Sequence, residues 1–108
     1  MMYGYNGEIL RVDLSRGTIS VDKPTPEFYR QYVGGTSLIS YYLLREVAVG
    51  TDALAPENKL IFATGPVTGA PIGGSGRNSV GAKSPLTNGF GSSEVGGYWG
   101  GRTQTRRL

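Results

Sequence analysis

Twelve of the chain's 18 glycines lie between Gly65 and Gly101. That density rules out long regular elements across much of the second half, because glycine weakens helix and strand interiors and favours turns and close backbone approaches. Regular structure is therefore expected mainly before Gly65. With 108 residues there is room for one small domain, which buries only about two-thirds of the surface its unfolded chain exposes.

The first half has clear periodicities. In "GEILRVDLSRGTISVDK" Leu10, Val12 and Leu14 share one face of a strand and Arg11 and Asp13 the other. Ile19 and Val21 alternate with Thr18, Ser20 and Asp22 after the turn "SRG", so a hairpin is predicted with Gly17 in positive φ. Thr25 reads as an N-cap, Pro26 as the first helical residue and Glu27 as a carboxylate near the positive helix end, opening a short helix to about Val33. Gly34 and Gly35 break it. From Thr36 to about Val47, Ile39, Leu43 and Val47 recur every fourth residue with Leu38 and Tyr42 beside them, predicting the main helix, laid on the sheet.

Beyond these, "TDALAPEN" is a loop and "KLIFATG" reads as a strand buried on both faces. "PVTGAPIGGSG" is loop, "RNSVGAKS" a further strand, and "PLTNGFGSSEVGGYWG" loop again. The order ββααβ plus later strands makes the fold class α+β.

Absences narrow the chemistry. The chain has no cysteine and no histidine, so it lacks thiolate and imidazole metal ligands, iron–sulfur ligands and the commonest general base. The net charge of +3 resides in Arg102, Arg106 and Arg107, since residues 1–101 carry 8 basic and 8 acidic side chains. A nucleic-acid binder using those three arginines is the weakest reading, because the neutral body offers little electrostatic attraction. No apolar run approaches the roughly 20 residues of a membrane span, and "MMYGYNGEIL" lacks the order of a signal peptide. The expectation is a cytoplasmic protein with neither nucleic acid nor membrane as partner.

The densest candidate for chemistry runs from Gly65 to Gly100. Successive free N–H groups of a glycine loop form an anion-binding concavity, and Arg77, directly after "GGSG", suits a phosphate. The same glycines also suit plain tight turns, with Arg77 solvated or ion-paired. A P-loop is excluded because "GGSG" is followed by "RN", and a dinucleotide fingerprint because no helix follows. Glu94, the only acid after Glu57, has no partner acid or base for proton transfer and reads as a solvated loop carboxylate. Tyr3, Tyr5, Tyr98 and Trp99 lack interleaved basic residues and are expected to pack in core and loop.

Taken together, "YGYNGEILRVDLSRGTISVD", "YVGGTSLISYYLL", "DALAPENKLIFATGPVTG", "GSGRNSVGAKSPLT" and "VGGYWG" resemble the N-terminal domain of the aldehyde:ferredoxin oxidoreductase family of tungsten or molybdenum pterin enzymes. The likeness runs in order from about Tyr3 to Gly100. It implies the first half of a two-sheet domain on which a bis-pterin metal cofactor with bridging magnesium rests. It also implies missing domains, or a separate chain, that supply a four-iron cluster and most of the substrate site, with ferredoxin as electron acceptor. By position, Arg77, Gly96 and Gly97 resemble cofactor contacts, and the Glu94 main-chain carbonyl resembles a magnesium contact; no residue of this chain is expected to be catalytic. The alternative is a stand-alone small subunit acting with a separate catalytic chain.

After "VGGYWG" the family continues with proline, an acidic residue and "LKRAGYD", unlike "GRTQTRRL". Synonymous codons exist for Thr103 to Leu108 plus a stop that read Leu-Lys-Arg-Ala-Gly-Tyr when shifted by one base. The expected organisation is therefore a partial pterin-binding domain over residues 1–101 and an off-pattern basic tail, out of frame, over residues 102–108. Such a fragment is expected to be inactive alone.

Overall fold

The structure is a computed structural model that describes residues 4–97 and 99–105. Strands β1 (Ile9–Asp13) and β2 (Thr18–Asp22) form an antiparallel hairpin with Leu10 opposite Val21, Arg11 opposite Ser20 and Val12 opposite Ile19. Gly17 takes φ 65° in the turn. The Asp13 carboxylate accepts the backbone N–H groups of Ser15 and Arg16 at 3.0 and 3.2 Å. Leu14 falls in this turn rather than in the strand.

The hairpin turns its polar face inward. Leu10, Val12, Ile19 and Val21 are 46, 54, 68 and 48% exposed, whereas Arg11 reaches the body of the molecule. Its Nη1 and Nη2 donate to the Glu46 carboxylate at 2.6 and 3.0 Å, its Nε pairs with Asp22, and its guanidinium lies 5.4 Å from the centre of the Tyr42 ring. These contacts raise an already high Arg11 pKa, chiefly through Glu46 and then Asp22, so the charge is permanent. The alternation identifies the strands but not which face meets the body.

Helix α1 (Pro26–Tyr32) begins as the sequence predicts: the Thr25 hydroxyl accepts the Phe28 N–H at 3.3 Å, Pro26 needs no partner, and Glu27 lies in the first turn. It ends at Val33, whose N–H closes on Tyr29 O at 2.8 Å and whose φ is 52°. That conformation is uncommon for a β-branched residue. Tyr5 braces it, donating its hydroxyl to Val33 O at 2.7 Å while its ring packs 4.6 Å from that of Tyr29. Helix α2 (Gly35–Glu46) follows almost at once. A side chain on Gly34 would come within 2.6 Å of Thr64 O, and Gly35 donates its N–H to that same oxygen at 3.1 Å. Gly34 thus breaks the helix, and Gly35 begins the next one.

The second sheet has the order β3 (Ile61–Ala63), β4 (Asn78–Lys83), β5 (Phe90–Val95), antiparallel throughout. Helix α2 lies across one face, where Ile39, Leu43 and Ala63 form the buried core with Leu38, Val47 and Ile61 packed around it. The fit depends on Gly81, where an added Cβ would sit 2.5 Å from Ile39 Cγ2. Asn58 fastens the "TDALAPEN" loop to β4, its Nδ2 donating to Ala53 O and Lys83 O at 2.8 and 3.0 Å and its Oδ1 accepting the Lys83 N–H at 3.3 Å.

Three expectations are corrected. β3 is buried on one face only, since Phe62 is 56% exposed and stacks 5.6 Å from Trp99 on the other. The stretch after "PLTNG" is not loop: "FGSSEV" forms β5 because β4 offers it a hydrogen-bonding partner, which overrides a composition poor in strand formers. Helix α3 (Trp99–Thr105) forms where the sequence predicts loop in "VGGYWG". Arg106, Arg107, Tyr3 and Tyr98 lie outside the described residues.

Replacing Gly81 by Ala should destabilise the chain by about 1–3 kcal/mol, because β-branched Ile39 cannot yield inside the core; chemical denaturation followed by circular dichroism measures it. The double change Val12→Thr with Ile19→Thr should alter stability by no more than roughly 0.5 kcal/mol while reducing concentration-dependent association in sedimentation experiments, because it breaks the outward apolar face.

Candidate functional site

The glycines of the second half divide into two groups once the chain is folded. Gly76, Gly69 and Gly100 are close-packed: an added Cβ would lie 2.4 Å from Gly97 O, 3.0 Å from the Gly101 Cα and 3.1 Å from Asn78 Oδ1, respectively. These contacts seat the start of α3 on the loop before β4. Gly73, Gly74, Gly96 and Gly97 are different, with no atom within 4 Å of where a Cβ would stand. Gly97 has φ 87° as well, so it combines open space with a backbone that other residues rarely adopt.

Arg77 is held between these groups. The β4–β5 register pairs Asn78 with Val95, so Arg77 stands opposite Gly96 one step beyond the ladder. Its backbone is fixed from below: the Thr68 hydroxyl accepts the Gly65 N–H at 2.9 Å and donates to Arg77 O at 3.1 Å. The loop is further closed by Gly69 N–H to Ser75 O at 2.8 Å and by the Ser75 hydroxyl to Ala70 O at 2.6 Å. The Arg77 side chain is exposed, and no ion pair among the described residues engages its guanidinium. A guanidinium next to side-chain-free backbone is a chemically suitable place for phosphate oxygens.

Glu94 is exposed but not solitary. It lies on β5 opposite Ser79, and its Oε1 accepts the Ser79 hydroxyl at 2.6 Å and the Thr36 hydroxyl at 3.0 Å. The Ser79 bond, then the Thr36 bond, and to a lesser extent the nearby Arg77 charge hold its carboxyl below the ordinary value. The expectation of a loop carboxylate is therefore corrected, since the residue is in a strand; it is exposed, as expected of a solvated carboxylate, yet its side chain is engaged by two hydroxyls. Thr36 and Ser79 carry no sequence signal, since they are 43 residues apart and meet only when α2 docks on β4.

Asn78 was also hidden in the sequence. It is 2% exposed, and neither its Nδ2 nor its Oδ1 has a hydrogen-bond partner among the described residues. It lies under Gly100 at the seam between β4 and α3. Of the aromatic residues considered from the sequence, Tyr5 packs on Tyr29 and Trp99 on Phe62, in keeping with a packing role.

Among the described residues no three His, Cys, Asp or Glu side chains converge as metal ligands, so any cation at this site would draw on main-chain oxygens and on ligands from outside the chain. Among the same residues no helix is long and apolar enough to cross a membrane.

Comparison with known proteins gives a consistent picture. The family described as "Aldehyde ferredoxin oxidoreductase, N-terminal domain" matches residues 9–106. The tungsten-containing aldehyde ferredoxin oxidoreductases of Pyrococcus horikoshii and Pyrococcus furiosus are 46 and 43% identical over 99 residues, which is 92% of this chain and 16% of each relative. An aliphatic sulfonate oxidoreductase, WOR-like subunit, of Pyrococcus furiosus is 36% identical over 91 residues. Among solved structures, the active site complex BamBC of benzoyl coenzyme A reductase in complex with 1,5-dienoyl-CoA superposes with a TM-score of 0.90 at 34% identity, over 95% of this chain and 16% of that one. The chain thus spans about a sixth of the length of the relatives it matches, and further domains or chains complete the enzyme in those proteins. From the hairpin at Ile9 to helix α3, both the sequence match and the α+β fold lead to one conclusion: this chain belongs to the aldehyde ferredoxin oxidoreductase family, as its N-terminal domain.

Proposed function

We propose that this chain forms one wall of a bis-pterin tungsten or molybdenum site in an oxidoreductase that converts aldehydes to carboxylic acids and passes the electrons to ferredoxin. The observation that carries the reading is the pairing of Arg77, exposed and in no ion pair among the described residues, with the open backbone at Gly73, Gly74, Gly96 and Gly97. Arg77 would bind phosphate oxygens of the cofactor through its fixed fork of donors. Gly96 and Gly97 would let those oxygens reach the main chain, and the Glu94 main-chain carbonyl would help hold a magnesium ion. The residues present fit such a group, because its footprint needs cationic charge and absent side chains rather than the thiolates and imidazoles that the chain lacks. When bound, the metal would supply the redox chemistry. Substrate recognition and a four-iron cluster would come from the remainder of the enzyme, so the free chain should bind without turnover.

Calorimetric titration of magnesium pyrophosphate into the 108-residue chain tests this directly. Arg77→Gln should weaken binding by roughly ten- to a hundredfold, the range expected for losing hydrogen bonds to a charged group. Gly96→Val should weaken it too while leaving the melting temperature unchanged, since its side chain would enter open space. Equal affinity in Arg77→Gln and the original chain would sink the reading.

A further inference from the structure

A carboxylate two residues before Gly96 poses an electrostatic difficulty for an anionic ligand. Like charges held close together repel, and a carboxylate beside phosphate oxygens would oppose their binding. The geometry points to the resolution. We propose that Glu94 is a positioning residue: its carboxylate clasps the edge strand β5 to β4 and α2, and so fixes the turn at Gly96 and Gly97 without itself facing the bound anion or cation. This rests on the phosphate-binding reading of that turn.

Side chains of directly opposed residues in an antiparallel pair emerge on the same face. Glu94 is opposite Ser79, and Ser79 is on the same side of β4 as Gly81, the residue against which Ile39 of α2 packs. The Glu94 side chain therefore leaves the sheet on the α2 side. There it meets Thr36 in the first turn of α2, near the positive end of a twelve-residue helix, where a negative charge is favoured. Its two bonds are complementary in direction: Ser79 donates from the neighbouring strand at 2.6 Å and Thr36 from the covering helix at 3.0 Å.

This clasp compensates for what β5 lacks. Among the described residues the strand is bonded on one edge only, to β4, and nearly all of its residues are exposed, including Phe90 and Val95. Apolar burial contributes little to holding its end, and Gly96 and Gly97 follow that end directly with no side chains of their own to anchor them. Charge-assisted hydrogen bonds are the strongest contacts available at that point. Thr36 and Ser79 thereby become members of the same positioning unit, although neither lies in the glycine-rich segment.

The test compares Glu94→Ala, Glu94→Gln, Ser79→Ala and the double variant Glu94→Ala/Ser79→Ala in the full chain, by amide hydrogen exchange and by titration with magnesium pyrophosphate. Glu94→Ala should speed exchange of the amides of residues 92–95 by about tenfold and weaken pyrophosphate by a similar factor. Glu94→Gln keeps an acceptor oxygen for both hydroxyls and should restore both readouts to within about threefold. Ser79→Ala should resemble Glu94→Ala, and the double variant should add little, because the residues act as one unit. The proposal is overturned if the two single changes add fully, or if Glu94→Gln binds as weakly as Glu94→Ala or more tightly than the original chain, since charge would then act directly on the ligand. If the original chain gives no pyrophosphate signal, the phosphate reading fails by itself, while the exchange pattern still decides whether the clasp exists.

Discussion

The packing of Ile39 into the notch left by Gly81 governs how the second sheet and its covering helix fit together. An alanine at that position would place a carbon 2.5 Å from the Ile39 methyl, so the absence of one side chain determines how deeply α2 sits on β4. From this depth follow the approach of Gly34 to Thr64, the meeting of Thr36 with Ser79, and the reach of both hydroxyls to Glu94. The core around it is small, with Ile39, Leu43 and Ala63 as its buried centre. Local contacts such as these therefore carry more than their usual share of the stability.

The hairpin is attached by other means. Its body-facing side uses Arg11, shared between Glu46 and Asp22 and set over Tyr42, and its apolar residues point away. Partly exposed ion pairs are individually modest, and their strength here comes from the two-pronged geometry toward Glu46 and from a charge that does not titrate. A strand pair that spends its polar face on its own domain and leaves its apolar face outward has the chemistry of an interface. Its exposure goes with a chain that spans only 16% of the length of its relatives.

What the sequence revealed depended on how local the cause was. Thr25, Pro26 and Glu27 specify the start of α1 by contacts within one turn, and the fourfold spacing of Ile39, Leu43 and Val47 identifies the buried stripe of α2. The β5 strand was not legible, because Gly91, Ser92 and Ser93 have little intrinsic preference and form a strand only beside β4. The same limit applied to the site. Arg77 follows Gly73 and Gly74 within a few residues, so these could be read together, whereas Gly96 and Gly97 come to it only across the β4–β5 pairing and Glu94 gains its partners from 15 and 58 residues away. Nothing in the residue types distinguishes glycines such as Gly76 that are close-packed from those such as Gly96 that are open.

The seam formed by Gly69 with Gly101 and by Gly76 with Gly97 has a thermal consequence. Contacts between residues without side chains require no rotamer to be frozen, so their cost of ordering is almost wholly backbone entropy, which is greatest for glycine. That cost grows with temperature while the few atoms in contact offer little enthalpy in return. Rising temperature therefore weighs against the join between α3 and the glycine-rich loop through the backbone it must hold in order.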